Sequence, residues 1–246
     1  MITVEKLTEL LDNTVHAINQ RDLKTAKEVI NKALELEPDY DLAWYLLGEI
    51  HLLSKEHDEA IAAYNRAIEL KPENADKSLL KIGIIYFSTG KTEEALAAYL
   101  HAKDVNPKNP DIWVYLGAIY VEKQELEKAL ECLLEALKLN PADAKVVRTL
   151  GAVYELTGDY KQAIKYYKKT LEKTPDDYIT TYTLGCAYVN TKEETLGIEF
   201  IQKSLEMQPE FVSGWEALEA AFEIIDNKEE AAKCKKKIAA LKNKQN

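Results

Sequence analysis

Histidine and cysteine are the side chains in this sequence best suited to metal binding or nucleophilic chemistry, and both are sparse. His51 and His57 are six residues apart, with Asp58 beside the second. A protein metal site needs three or four converging ligands, so we expect His51 in the core and His57 in a turn instead. The cysteines are widely spaced and form no CxxC motif: Cys132, Cys186 and Cys234. This pattern predicts reduced thiols and no metal site.

Motifs for cofactor chemistry are also missing. The sequence contains no GxxxxGK[ST], GxGxxG or HExxH, the patterns that mark phosphate, dinucleotide and zinc sites. The acidic pairs 93–94 and 193–194 fall at predicted helix starts, where carboxylates complement the helix dipole. We therefore predict no catalytic, cofactor-binding or metal-binding residue, and no enzymatic activity.

The charge of the chain is acidic but uneven. The 246 residues include 32 Lys or Arg and 42 Asp or Glu, a net charge of −10. Residues 227–246 contain seven Lys and two Glu, so this segment carries +5 and the first 226 residues carry −15. An acidic body argues against nucleic-acid binding, which depends on neutralising phosphates. The sequence has no run near the ~18 apolar residues that cross a bilayer and no signal-peptide core, so we predict no membrane span and a cytoplasmic location.

Three residue types recur with one period of 34 or 35 residues. The ladder prolines are Pro38, Pro72, Pro107, Pro141, Pro175 and Pro209. The ladder glycines are Gly48, Gly83, Gly117, Gly151 and Gly185. The tryptophans share one phase, because Trp44, Trp113 and Trp215 are separated by two and three periods. A fixed period of this length predicts a stacked-repeat architecture.

Each repeat is predicted to form two helices. In residues 110–143, apolar residues recur at i, i+3, i+4 and i+7 in two successive segments, the pattern of amphipathic helices. Gly90 and Gly158 mark the turn after the first helix in two repeats. The second helix is expected to end before the ladder proline, which cannot continue a helix.

The small residues suggest a close helix–helix contact. A glycine inside a helix costs about 1 kcal/mol relative to alanine, so the ladder glycines are explained best by a partner helix that approaches too closely for a side chain. Alanines recur at a matching position of the second helix: Ala60, Ala95, Ala129 and Ala163. Large aromatic residues are expected to fill the space opposite these small ones.

Trp44-x2-Leu47-Gly48-x2-His51, followed by Ala60, Tyr64, Ala67 and Pro72, resembles the tetratricopeptide repeat signature. The resemblance implies an all-α fold, a right-handed α-solenoid of stacked antiparallel helix pairs. It also implies that the first helices line a concave groove, that the groove binds peptides or partner domains, and that the protein has no catalytic residues of its own.

The resemblance predicts a single array over residues 1–246. Its repeats are expected at 7–40, 41–75, 76–109, 110–143, 144–177, 178–211 and 212–246, of which the first is a degenerate cap and the last a cap with a lysine-rich helix. In the repeat 178–211, Gly197 replaces the ladder alanine and Thr181 replaces a large residue. Looser packing is therefore predicted there.

Transferring the family's groove positions to this sequence gives a predicted partner-binding surface. Its residues, called the groove residues below, are Tyr45, Lys77, Lys81, Ile84, Phe87, Tyr115, Lys145, Arg148 and Tyr182. Aromatic side chains are good interface anchors, and cations in a concave surface attract an anionic segment. Two alternatives remain open: neighbouring repeats could bury the first helices completely, and the cations could be solvated, with Asp111 pairing one of them.

The sequence thus predicts an adaptor or scaffold for a protein or peptide partner, and the cations indicate an acidic one. The alternatives are an oligomer that stacks through its terminal repeats, or a non-catalytic regulatory subunit of an enzyme complex. The oligomeric state does not follow from the sequence.

The lysine-rich end also has two interpretations. Its cations could contact an anionic membrane, RNA or an acidic partner, or they could belong to a solvated cap that favours the helix C-terminus. The residues concerned are Lys233, Lys235, Lys236, Lys237, Lys242 and Lys244.

Overall fold

The computed structural model of the protein describes residues 4–245, which form α-helices and no strand. The helices are α1 Val4–Asn19, α2 Leu23–Leu36, α3 Asp41–Leu53, α4 His57–Leu70, α5 Asp76–Ser88, α6 Thr92–Val105, α7 Pro110–Glu122, α8 Leu126–Leu139, α9 Ala144–Leu156, α10 Tyr160–Leu171, α11 Tyr178–Asn190, α12 Glu194–Met207, α13 Val212–Ile224 and α14 Lys228–Gln245. A single 3-10 turn, Pro72–Asn74, precedes α5.

The chain divides between Ile119 and Tyr120, within α7, into two compact units. In the N-terminal unit, each helix from α1 to α6 packs against the next one along the chain. The same holds from α8 to α14 in the C-terminal unit. The predicted all-α fold of stacked antiparallel helix pairs is therefore confirmed. The single array over 1–246 stays a prediction, and residues 1–3 and 246 of it lie outside the described part of the chain.

The ladder glycines lie where a tyrosine of the second helix packs against the first. A Cβ atom at Gly48 would be 2.6 Å from Tyr64 Cε1. At Gly151, the same atom would be 2.6 Å from Tyr167 Cε1. Both rings are buried. Since real Cβ atoms do not come this close to a ring, the glycine allows the tyrosine to fill the core between the two helices.

The packing of α11 against α12 is closer than the looser packing that was predicted for residues 178–211. A Cβ at Gly185 would lie 2.8 Å from the Gly197 carbonyl oxygen, and one at Gly197 would lie 2.7 Å from the Gly185 carbonyl oxygen. Two facing glycines let the backbones themselves come into contact, so this pair is closely packed. The other small residue, Thr181, is buried and donates its hydroxyl to the Asp177 carbonyl at 2.9 Å.

Each of the seven first helices, α1, α3, α5, α7, α9, α11 and α13, is followed by one residue with left-handed backbone geometry. Gly90 and Gly158 fill this position with φ of +76° and +79°, as predicted. Elsewhere the position holds a residue with a side chain, at φ between 56° and 65°: Arg21, Lys55, Gln124, Lys192 and Asp226. The turn therefore demands a left-handed conformation, although the sequence does not always supply glycine.

The tryptophan and proline ladders are linked by a hydrogen bond. The indole Nε1 of Trp44 donates to the carbonyl oxygen of Pro38 at 2.7 Å. Trp113 and Trp215 make the same bond, to Pro107 at 2.8 Å and to Pro209 at 3.0 Å. Each bond ties a first helix to the end of the preceding second helix, which explains why all tryptophans share one phase of the repeat.

Gly83→Ala tests the close contact between first and second helices. In an open helix interior this change would stabilise the protein by about 1 kcal/mol. Here the new methyl group would overlap the Tyr99 ring, so we expect a loss of about 1–3 kcal/mol in the free energy of unfolding, typical of overpacked cores. Urea denaturation followed by circular dichroism measures this loss.

The matched variant for this test is Tyr99→Leu, which introduces the residue type that Leu133 provides one repeat later. Combined with Gly83→Ala, it should cost less than the sum of the two single changes, because the shorter side chain makes room for the methyl group. Simple additivity would contradict the proposed contact.

Lys192→Gly tests the left-handed turn. A side chain at φ 65° carries a steric cost of roughly 1 kcal/mol that glycine avoids, so we expect a rise of about 0.5–1 kcal/mol in the free energy of unfolding. Gly90→Ala should change the same quantity in the opposite direction. The two urea midpoints moving the same way would show that backbone conformation does not govern these positions.

Candidate functional site

The groove residues fall in both compact units. Six of them belong to the N-terminal unit: Tyr45 on α3, Lys77, Lys81, Ile84 and Phe87 on α5, and Tyr115 on α7. Lys145 and Arg148 on α9 and Tyr182 on α11 belong to the C-terminal unit. All nine are at least partly accessible to solvent, and Lys77, Lys145 and Arg148 are exposed.

Glu49 organises the polar part of the N-terminal surface. One of its carboxylate oxygens accepts the hydroxyl of Tyr64, and the other lies 2.8 Å from Lys81 Nζ. The charge of Lys81 is therefore neutralised within the protein, by Glu49 rather than by Asp111. The ring of Tyr45 packs against that of Tyr64, with centroids 5.7 Å apart. These four side chains link α3, α4 and α5.

The tyrosines of this network remain protonated. Burial raises the pKa of Tyr45 to about 12, and the charges of Glu49 and Asp76 act in the same direction. Burial, followed by the hydrogen bond to Glu49, raises the pKa of Tyr64 well above its ordinary value. Both hydroxyls are therefore neutral at physiological pH, and Tyr64 acts as a hydrogen-bond donor to a carboxylate.

Lys77 differs from Lys81 because it is exposed and makes no ion pair with the residues the structure describes. It borders a small cavity of about 270 Å³ that Tyr45 and Asp76 also line. Asp76 is buried and accepts the side-chain amides of Asn106 at 2.9 Å and Asn109 at 3.4 Å. This buried acid anchors the loop before α7 and leaves Lys77 as the accessible charge.

Ile84, Phe87 and Tyr115 form the apolar part of the N-terminal surface, and all three are half-buried. The Tyr115 ring is stacked on Tyr99, with centroids 5.3 Å apart and planes 22° apart. Unlike Tyr64, Tyr99 has a buried hydroxyl without a hydrogen-bond partner among the described residues. Ile84 stands 35 residues after Glu49, so an apolar side chain takes the place in the repeat that the acid has.

In the C-terminal unit, Arg148 lies near Asp177, with 3.6 Å between Nη1 and Oδ2. Asp177 also caps α11 by accepting the backbone N–H groups of Ile179 and Thr180. Burial opposes ionisation of this carboxyl, but the Thr180 and Ile179 hydrogen bonds and the Arg148 charge lower the pKa of Asp177 below its ordinary value. Lys145 is exposed and forms no ion pair within the described range.

Tyr182 packs edge-on against Phe211, with ring centroids 5.0 Å apart. Beside it, burial raises the pKa of Cys186 to about 11. The thiol is therefore protonated and a poor nucleophile. Arg148, Ala152 and Thr183 border a shallow cavity of about 250 Å³ in the same unit.

Most cations of the lysine-rich end are engaged within the protein. Lys233 contacts Glu229 at 2.8 Å and Glu230 at 2.7 Å. Lys242 pairs with Glu216 at 2.8 Å, and Lys237 lies 5.9 Å from the centre of the Trp215 ring. The Lys233 pairs lie within α14, whereas the Lys242 and Lys237 contacts fasten α14 to α13, and both kinds of contact favour the cap interpretation of this segment.

The two histidines predicted to be structural, His51 and His57, lie on α3 and α4. His51 is buried and its Nδ1 lies 2.5 Å from Glu56 Oε2, which confirms its place in the core. His57 begins α4 instead of lying in the preceding turn.

Within residues 4–245, no three His, Cys, Asp or Glu side chains are arranged to hold a metal ion. No helix in that range is both long and apolar enough to cross a membrane.

Sequence reasoning missed the central role of Glu49, because that role depends on side chains from three helices. A faint signal existed: Glu49 follows a ladder glycine directly, and Lys81 comes 32 residues later on the next first helix.

Two protein-family models match the chain. The model for the C-terminal domain of cilia and flagella-associated protein 70, a TPR model, matches residues 6–154, more than half of the chain. The model for the C-terminal ARM domain of tetratricopeptide repeat protein 21 matches residues 101–214.

Among characterised proteins, the chain is similar to the BBSome complex member BBS4. The mouse protein is 36% identical over 66 residues, which is 27% of this chain and 12% of the mouse protein. The bovine protein is 38% identical over 61 residues, 25% of this chain and 11% of that protein. The matched segment thus spans about an eighth of these relatives.

Solved structures share the fold at low sequence identity. The C-terminal part of a TPR repeat-containing protein from Cytophaga hutchinsonii has a TM-score of 0.78 at 19% identity, covering 94% of this chain and 95% of that one. YrrB, described as a TPR protein with an unusual peptide-binding site, has a TM-score of 0.69 at 21% identity, covering 76% and 96%. MamA from Desulfovibrio magneticus RS-1 has a TM-score of 0.68 at 24% identity, covering 70% of this chain and 97% of that one.

The repeat period, the glycine–tyrosine contacts, the helix pairs and these matches agree with one another. Folds of this type serve generally as scaffolds for protein interaction and are generally non-catalytic. The chain belongs to the tetratricopeptide repeat family.

Proposed function

We propose that this chain is a non-catalytic adaptor that holds a segment of a partner protein against the first helices. The observation that carries the proposal is that three apolar side chains of the first helices α5 and α7 remain half-exposed, Ile84, Phe87 and Tyr115. Partly exposed apolar and aromatic side chains grouped on one surface are typical of protein-binding sites. Tyr115 is held in place by its stacking on Tyr99, so it loses little entropy when it binds.

The charged groups of the surface refine the kind of partner. Lys81 is occupied by Glu49, and Arg148 is partly balanced by Asp177. Lys77 and Lys145 are the exposed cations of the predicted set without an ion pair among the described residues. Lys77 would therefore orient an acidic partner segment on the N-terminal unit, and Lys145 would offer the same kind of contact on the C-terminal unit by itself.

The related proteins are consistent with this role. YrrB is described by its peptide-binding site, and BBS4 is a member of a multiprotein complex. By analogy, this chain would work as a subunit or adaptor of an assembly, and a non-catalytic regulatory subunit is one form of that role. Its cytoplasmic location stays a prediction.

Self-assembly through the terminal repeats is the second candidate. Ile224 and Ile225 at the end of α13 are 59% and 44% exposed, and such apolar side chains favour association. Light scattering at micromolar concentration separates the two functions, because an adaptor would show the monomer mass of 27.9 kDa and a structural oligomer a multiple of it.

The double variant Lys77→Glu with Ile84→Ser tests the adaptor function. It removes a free cation and an apolar contact but leaves the Glu49–Lys81 pair intact. Replacing Lys81 with an acid would instead place two carboxylates together and disturb the fold. We expect capture of partner proteins from native lysate to fall by about tenfold or more, as for central interface residues. Quantitative pull-down measures the loss, with circular dichroism as the check on folding.

The matched control makes the same two kinds of change elsewhere in the N-terminal unit, Lys32→Glu with Leu53→Ser, both at exposed positions. It should capture the same proteins as the wild type. Equal capture by all three proteins, with unchanged helical signal, would refute the proposed surface.

A further inference from the structure

The C-terminal unit contains a second concave surface, away from the groove residues. It lies between the second helices α12 and α14, with α13 beneath, and has a volume of about 610 Å³. We call this concave surface the terminal pocket. The apolar residues that line it are Leu205, Trp215, Leu218, Phe222 and Cys234. The volume is within the range of ~300–1,000 Å³ that is usual for ligand pockets.

The preceding repeat shows what occupies the equivalent space. Subtracting one period of 34 residues from Leu205, Leu218 and Cys234 gives Leu171, Leu184 and Phe200. These three residues line a smaller cavity of about 370 Å³. There the Phe200 ring is stacked on Tyr188, with centroids 5.5 Å apart and planes 17° apart.

The repeat before that has the same arrangement. Tyr166 is stacked on Tyr154, with centroids 5.4 Å apart and planes 13° apart. In the last repeat, Phe222 takes the place of Tyr188, but Cys234 takes the place of Phe200. A thiol is much smaller than a phenyl ring, so the chain supplies one aromatic ring of the pair and lacks the other.

Trp215 adds a further aromatic surface to the terminal pocket. The equivalent residue one period earlier is Thr181. The indole is fixed by its hydrogen bond to Pro209 and is half-exposed, with Lys237 above it. A fixed, partly accessible tryptophan is a favourable contact for another ring.

The charged residues around the pocket favour neither an anionic nor a cationic ligand. Two carboxylates and two ammonium groups border it: Glu206, Glu230, Lys233 and Lys237. Lys233 is already paired with Glu229 and Glu230. A neutral ring therefore fits better than a charged group, and the open side leaves room for the chain that carries the ring.

We infer that the terminal pocket binds a phenylalanine or tyrosine side chain presented by a partner polypeptide. This contact would replace the aromatic ring that the two preceding repeats supply themselves. It is a second protein-binding site and does not depend on the groove residues.

The three tryptophans provide the test. Each indole N–H donates to a proline carbonyl, but only Trp215 lines the terminal pocket. N-acetyl-phenylalanine amide, a neutral probe for a ring within a chain, is titrated while the indole signals are followed by ¹H–¹⁵N NMR. We expect a saturable shift of the Trp215 signal, with a dissociation constant on the order of 1 mM, and steady Trp44 and Trp113 signals.

Two further ligands test which chemical group the terminal pocket recognises. N-acetyl-leucine amide should bind roughly fivefold more weakly, because it gains no ring–ring contact. Free phenylalanine, which is zwitterionic, should also bind more weakly than the blocked amide. If free phenylalanine binds as tightly or better, the pocket is a small-molecule site and the inference of a polypeptide partner is wrong.

Cys234→Phe is the decisive variant, because it restores the side chain found at Phe200. It should abolish the Trp215 shift while the helical signal is retained. Gln202→Tyr, a bulky change at an exposed position on the edge of the pocket, tests the same point without altering the core. A Trp215 shift that persists in both folded variants, equal shifts of all three tryptophans, or no shift at all would overturn the inference.

Discussion

The contact between a glycine of the first helix and a tyrosine of the second controls how each of these helix pairs is built. At Gly48 and Gly151, the absence of a side chain admits the ring of Tyr64 or Tyr167 into a core that excludes water. The ring position then places the tyrosine hydroxyl within hydrogen-bonding distance of an acid on the same first helix, Glu49 for Tyr64 and Glu155 for Tyr167. Glu49 uses this hydroxyl together with Lys81, so the packing constraint also determines part of the surface chemistry.

The same constraint has different outcomes where the sequence changes. At Tyr99 the ring is packed in the same way, but Ile84 stands in the repeat position of Glu49, and the surface becomes apolar there. In the pair α11–α12, two glycines face one another and the backbones come into contact without a ring between them. One repeat architecture can therefore present polar, apolar or closely packed segments along the chain, and such variation is what gives a scaffold its choice of partner.

The sequence was sufficient for the fold because the period is carried by residues with strong steric requirements. Glycine at the close contact and proline after the second helix each have few substitutes. Other features depend on contacts between distant segments. The Glu49–Lys81–Tyr64 network needs three helices in their final positions. A glycine at position 197 is compatible with either a void or a close backbone contact, so its sequence position alone does not decide between them. The left-handed turn at Lys192 escapes prediction because many residues tolerate it at a modest cost.

The central claim is that the first helices provide the partner-binding surface. The most direct measurement is site-specific photo-crosslinking, with a benzophenone amino acid placed at position 84 on α5 or at position 62, an exposed site on the second helix α4. The account predicts covalent adducts to partner proteins from position 84 and none above background from position 62. Adducts that form mainly from position 62, or equally from both positions, would contradict it.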